Sequence, residues 1–206
     1  LAGAGLTLPG RAAAAAGRRG GELRVALCGC GKQGRGVLME NCLRIPGLRF
    51  QAICDIWPRQ QKYTSRLLQR RGQEVAVYAD FDELLAREKG LDAVIIATPD
   101  WVHAPQAIAA MEAGLHVYCE KEMSNEVAQA RRMVETARRT GRLLQIGHQR
   151  RSNPRYLHAK ERILDQARLC GRVPHAYGQW NAAVKEDRGW SERTALDEAT
   201  LRRYGY

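Results

Sequence analysis

From residue 22 onward, short apolar runs alternate with stretches whose apolar side chains recur every three to four positions. The first pattern predicts strands and the second helices. Runs 23–28, 50–54, 75–78, 92–97, 115–119 and 143–146 read as strands. The stretches between them read as helices over 32–45, 58–71, 81–85, 105–113, 125–140 and, past the last strand, 153–169. Punctuation agrees with this division. Pro58 sits in a first helical turn, Asp80 and Ser124 are the expected N-caps, and Gly72, Gly114, Gly141 and Gly171 stop the helices that precede them. The run 92–97 is apolar almost throughout, as in a parallel strand covered on both faces. Repeated βα units with short connections predict an α/β fold, a doubly wound parallel sheet.

The pattern changes after Gly147. One helix (153–169) and one strand (173–183, with Tyr177 and Trp180) read as the beginning of a second domain over residues 148–206; alone they cannot bury a core, so they must pack on the first domain or lie partly exposed. Residues 1–21 are also distinct: small and apolar to Pro9, then mostly alanine to Gly17. They resemble the tail of an export signal with an A-x-A cleavage site at 12–16, the alternative being a disordered extension. A periplasmic or otherwise exported location is expected, with the cytoplasm as the alternative. The expected organisation is therefore 1–21 leader remnant or extension, 22–147 nucleotide-binding domain and 148–206 start of a second domain.

The formal charge of +11 raises the question of nucleic acid. Its arginines are scattered, with pairs at 70–71, 131–132 and 138–139 on helical stretches, so they read as solvated faces and no nucleic-acid partner is expected. No apolar run is long enough to span a bilayer. The six cysteines show neither metal spacing nor a disulfide framework, and no metal site is expected. Cys28, Cys54 and Cys119, at strand ends, read as small buried hydrophobes.

Gly29-Cys30-Gly31-Lys32-Gln33-Gly34 closes the first strand and opens the first helix, and Asp55 follows about twenty residues later at the end of the second strand. In this strand–turn–helix setting the pattern predicts a dinucleotide site. Gly29 permits the tight turn, Gly31 lets main-chain N–H groups approach a pyrophosphate, and Gly34 lets helix and strand pack closely. The helix start adds oriented donors and a partial positive charge. Asp55 stands where a carboxylate accepts from a ribose 2′-hydroxyl. It favours NAD, because it would repel a 2′-phosphate; Arg59, one helical turn on, leaves NADP open.

Ligands of open parallel sheets bind beyond the carboxyl ends of the strands. Asp55, Thr98-Pro99-Asp100 with His103, Glu120-Lys121 and His148-Gln149-Arg150-Arg151 all fall there, which predicts one site assembled from several loops. Lys121 suits holding a substrate hydroxyl, stabilising a developing alkoxide and relaying its proton. Pairing with Glu120 or Glu122 is its structural alternative. His103 suits contact with a nicotinamide ribose or acid/base work, with helix-start capping as the alternative; His116 reads as structural.

Gly29-x-Gly31-x-x-Gly34, Asp55, Ala97-Thr98-Pro99 with His103, and Cys119-Glu120-Lys121 resemble the Gfo/Idh/MocA oxidoreductases, the family of glucose–fructose oxidoreductase and inositol 2-dehydrogenase. The resemblance covers about residues 22–180, and 147–156 resembles an exported branch of the family. It implies a Rossmann domain followed by an α+β domain that covers the substrate and forms a homo-oligomer interface in the full-length protein. It implies that Gly29, Cys30, Gly31, Lys32, Gln33 and Gly34 hold the pyrophosphate, and Asp55 the adenosine ribose. By the same resemblance Ala97, Thr98, Pro99 and His103 line the nicotinamide side, and Glu120 and Lys121 stand at the nicotinamide and the reacting carbon. Gln149 and Arg150 fall at the domain junction, near cofactor and substrate. Lys121 is the implied catalytic residue, with hydride transfer between the nicotinamide of NAD (or NADP) and a sugar, cyclitol or related polyol. An exported member would hold its cofactor tightly, the periplasm offering no free pool.

Two departures stand out. The proline that follows the lysine in the family's motif is Glu122 here, which implies a less rigidly held Lys121 with its charged form favoured. The family's further catalytic Asp and His have no counterpart before Tyr206, so the chain is expected to bind cofactor better than it turns substrate over. An NAD-dependent glycosidase of the same family and a non-catalytic nucleotide-binding fragment are the alternative readings.

Overall fold

The structure, a computed structural model, describes residues 21–179 and 196–203. Residues 1–20 of the expected leader remnant or extension (1–21) and the end of the expected strand, 180–183, lie outside the described residues. Six strands, β1 (Leu23–Cys28), β2 (Leu48–Cys54), β3 (Ala76–Tyr78), β4 (Ala93–Ile96), β5 (His116–Glu120) and β6 (Leu144–Gly147), form one parallel sheet. Their order is β3-β2-β1-β4-β5-β6. The chain builds outward from β1 in one direction, returns to place β4 on its other side, and builds outward again. The crevice above β1 and β4 is therefore the topological switch point, where such sheets take their ligands.

Alternation along the strands sorts the core into two layers. Val25 and Leu27 of β1, with Phe50, Ile53 and Ile95, face one way and bury Met39 and Leu68. These come from helix α1 (a π-type turn Gly34–Met39 continued by Glu40–Cys42) and helix α2 (Pro58–Arg70). Ala26 and Cys28, with Val94, Ile96, Val117 and Cys119, face the other way. They meet Leu84 of α3 (Phe81–Arg87), Ala107 and Met111 of α4 (Asp100–Glu112), and Met133 of α5 (Val127–Thr140). The register of β1 on β2 skips Gln51, passing from Val25–Phe50 to Ala26–Ala52. This bulge lets Phe50 and Ile53, three residues apart, share a face.

Several boundaries differ from the sequence reading. Helix α4 begins at Asp100, not Pro105, which lies inside it. Pro99 supplies an extended residue before the first turn, and the Asp100 carboxylate favours a helix start there; Pro105 costs one ladder bond. Ser124 does not cap α5. Its Oγ accepts from the Glu126 N–H at 3.1 Å, closing a turn ahead of a helix that begins at Val127. The helix after the sheet, α6, runs Pro154–His158 and continues as a π-type stretch, Ala159–Gln166, with Asn153 accepting from the Arg155 N–H at 2.9 Å. Residues 173–179 are not a strand: they pair with no described strand, and Val173 and Tyr177 are exposed. A short helix, α7 (Glu198–Arg203), completes the described elements. Among the described residues no helix is long and apolar enough to cross a membrane.

Candidate functional site

The glycine turn shows a separate requirement at each position. Gly29 has φ +87°, and a Cβ there would lie 2.5 Å from the carbonyl carbon and oxygen of Ala97. A Cβ on Gly34 would come within 1.8 Å of the Gly29 oxygen, so α1 could not pack on the turn. At Gly31 a Cβ would meet nothing within 4 Å. Protein packing does not demand glycine at 31, which leaves close approach of a ligand as the demand. The free N–H groups at the start of α1 suit an anion there.

Asp55, 9% exposed at the end of β2, is anchored to this turn. Its Oδ2 accepts from the Cys30 N–H at 2.7 Å and its Oδ1 from the Trp57 N–H at 2.8 Å. Burial pushes its carboxyl above the ordinary range, opposed by those two N–H groups and by Arg35. Gly29, Gly31, Asp55, Ala97, Thr98 and Pro99 line one cleft of about 640 Å³, walled on its outer side by Ile56, Trp57, Trp101 and Phe81. Arg203 of α7 also lines this cleft and pairs with Asp80 at 2.7 Å.

The nicotinamide-side candidates are held by side-chain bonds that span the strand ends. Gln33 Nε2 donates to Glu120 Oε1 at 3.0 Å, tying the glycine turn to the end of β5. Glu120 is buried and lies beside the Tyr118 hydroxyl, 3.5 Å away. Burial, then the Glu120 charge, push the Tyr118 phenol up to about 12. His103 lies on α4 and is 1% exposed. Its Nδ1 is 2.6 Å from the Glu122 carbonyl and its Nε2 is 2.7 Å from the Thr98 carbonyl. The ring thus pins the loop after β4 to the loop after β5. Lys121 projects outward with about half of its side chain exposed, its Nζ 3.7 Å from Glu122 Oε1. The Lys121–Glu122 peptide bond is cis, although residue 122 is not proline.

Glu120 stands opposite Gly147 in the β5–β6 register, so Gln149 and Arg150 follow at the neighbouring strand end. Both are exposed and neither lines the cleft. Arg150 has φ +81°, and its guanidinium donates to the Tyr156 hydroxyl at 2.7 Å. Lys32 is exposed just ahead of α1. Burial, then the Asp55 charge, hold the Cys30 thiol far above its ordinary range, and burial and Glu120 push Cys119 to about 12. Among the described residues no group of three or more His, Cys, Asp or Glu is placed to hold a metal ion. Sequence reasoning did not single out Gln60 and Tyr63, which hold Arg35, or Trp57 and Trp101, which wall the cleft. For Arg35 the available signal was its position directly after Gly34.

A six-stranded parallel sheet, a glycine turn at its switch point, a buried acid at the next strand end and a nucleotide-sized cleft between them define a dinucleotide-binding Rossmann protein. The open position at Gly31 and the donors around it fit NAD. The chain belongs to the Gfo/Idh/MocA family: the family model, an oxidoreductase family with an NAD-binding Rossmann fold, matches residues 23–148. An inositol 2-dehydrogenase of Rubrobacter xylanophilus is 32% identical over 186 residues, 89% of this chain and 51% of that protein. The scyllo-inositol dehydrogenase of Lactobacillus casei, solved with NAD(H) and scyllo-inositol, superimposes with a TM-score of 0.63 at 26% identity, covering 71% of this chain and 42% of that one. The WlbA dehydrogenase of Bordetella pertussis, solved with NADH and UDP-GlcNAcA, gives a TM-score of 0.60 at 26% identity over 69% of this chain and 39% of that one. The chain spans about half the length of the curated relative.

Proposed function

We propose that the protein is an NAD-dependent dehydrogenase acting on a carbinol carbon of a cyclitol, sugar or related polyol. The observation that carries this reading is the Gln33–Glu120 bond, which joins the dinucleotide turn to the strand end that presents Lys121. When bound, NAD supplies the hydride-accepting group. Gly29, Gly31 and Gly34, with the start of α1, hold its pyrophosphate, and Asp55 orders the adenosine ribose. Thr98 and Pro99 line the path toward the nicotinamide end.

Lys121 is the residue for the proton: its amino group is exposed at the carboxyl end of β5, within reach of a hydroxyl seated over the strand ends. Glu122 beside it offers a carboxylate to carry that proton outward. His103 acts through position, holding the main chain of the 121–122 turn against α4. Gln149 and Arg150, next along the strand ends, face the substrate side. Residues 148–206 read as the start of the substrate domain, which the exposed Tyr156, Leu157, Ile163 and Leu164 support.

Calorimetric titration of the chain with NAD tests the cofactor half, and titration of the NAD-loaded chain with scyllo- and myo-inositol tests the rest. NAD binding that weakens tenfold or more in Asp55→Ala is expected, together with inositol binding lost in Lys121→Met at unchanged NAD affinity. Absence of NAD binding overturns the reading.

A further inference from the structure

Helix α2 turns Thr64 and Leu68 toward the sheet and leaves its opposite face in solvent. Along that face Arg59, Lys62, Arg66 and Arg70 follow one another at steps of three, four and four residues, so their side chains form one row. All four are exposed, and the row runs along about 16 Å of helix. Among the described residues none of the four has an ion-pair partner. Of the described helices, taking α6 with its continuation, α2 alone carries no acidic residue. Exposed arginines on other helices are answered one turn away: Glu83 pairs with Arg87 at 3.0 Å and Glu198 with Arg202 at 2.6 Å.

Helix stability does not call for such a row. Like charges three or four positions apart repel, and Arg59, in a first turn that holds no acid, opposes the helix dipole. The Glu–Arg spacing of α3 would keep the face soluble without that cost. The demand for cations therefore comes from outside the chain. Sequential arginine pairs conceal the pattern: Arg71 faces Glu40 at 3.5 Å, while its neighbour Arg70 belongs to the row.

None of the four lines the cofactor cleft, so the row is a surface of its own. Its make-up selects the partner. Helices that lie in a lipid surface set apolar side chains beside their cations. Apart from Pro58 and Tyr63, every exposed residue of α2 is polar or charged, and the Arg35 guanidinium covers one face of the Tyr63 ring at 4.3 Å. The row thus offers neither an apolar wedge for lipid nor a stacking platform for unpaired bases. A chain with formal charge +11 also repels a second copy of itself. A stiff, linear polyanion fits. Four cations over about 16 Å come close to the charge density of one strand of duplex DNA, a phosphate every ~3.4 Å. Three of the four are arginines, whose fork takes phosphate oxygens in pairs.

We propose that α2 docks on the phosphate backbone of duplex DNA, without regard to sequence, through Arg59, Lys62, Arg66 and Arg70. The test is fluorescence anisotropy of a labelled duplex titrated with the full chain between about 50 and 200 mM salt. Wild type is expected to bind with a slope of about −3 to −4 in log affinity against log salt. Lys62→Gln/Arg66→Gln/Arg70→Gln should weaken binding thirtyfold or more at the lowest salt and flatten the slope to about −1. Removing the same charge from the exposed face of α5, as Arg131→Gln/Arg132→Gln/Arg138→Gln, should change affinity less than threefold. Equal losses in the two variants mean that net charge alone is responsible and overturn the inference. So does absence of binding at the lowest salt. Tighter binding to duplex RNA, to poly-glutamate or to vesicles of phosphatidylserine and phosphatidylcholine also overturns it, since each names a different partner. The salt series uses wild type alone and decides the matter if a variant fails to fold: a slope shallower than about −2 defeats the row. NAD titration of the α2 variant should return the wild-type affinity, which keeps failure of the DNA contact distinct from failure of the dinucleotide reading.

Discussion

At the scale of single residues, the three motif glycines answer to different physics and should separate in experiment. Gly34→Ala places a methyl group against the Gly29 oxygen and is expected to destabilise the protein by about 2–4 kcal/mol, read as a lowered urea midpoint. Gly31→Ala meets open space, so its stability should stay within about 1 kcal/mol of wild type while NAD affinity falls tenfold or more. A Gly31→Ala protein that binds NAD normally would show that the pyrophosphate does not approach this turn. At position 55 an acid at a strand end is legible in the sequence, but its bonds to the Cys30 and Trp57 N–H groups are not. Likewise His103 was visible as a histidine near a strand end. Only the packing of α4 against the 121–122 turn sets both of its nitrogens on main-chain carbonyls.

Elements were legible where a local signal decides them. Asp80 was recognisable as an N-cap, and its carboxylate does accept from the Glu83 N–H at 3.0 Å. Asp80→Ala should therefore cost about 1 kcal/mol in chemical denaturation. Asp80→Asn keeps an acceptor and loses the exposed ion pair with Arg203, so about 0.5 kcal/mol or less is expected. Equal losses in the two variants would assign the contribution to the ion pair instead of the cap. Local signals failed at α4 and α5, where two plausible starts competed a few residues apart. Pro105 and Ser124 are each acceptable first-turn or capping residues, and the difference was made by where the preceding loop leaves the sheet. The expected strand at 173–183 had suitable side chains, yet over 173–179 it pairs with no described strand. A strand is a property of two chains of hydrogen-bonding groups, not of one run of residues.

For the molecule as a whole, stability is concentrated in the centre of the sheet. Leu27, Ala26, Val94 and Ile96 are fully buried between two helical layers, whereas residues 154–158 are exposed throughout. Hydrogen exchange should show amides of β1 and β4 opening only with global unfolding, and amides of 154–166 exchanging orders of magnitude faster. Comparable protection in the two regions would mean that α6 has a packing partner. The sequence by itself determined the doubly wound class, because periodicity, glycine stops and near-continuous apolar strands are local consequences of which faces must be buried. It determined the dinucleotide turn for the same reason: backbone conformation and close approach are written in residue type. What only the tertiary structure decided is which distant groups meet. Gln33 reaches Glu120 across 87 positions, and Arg35 meets Gln60 across 25. Those contacts depend on strand order and helix docking, which are set by burial summed over the whole chain and leave no spacing signature in the residues that touch.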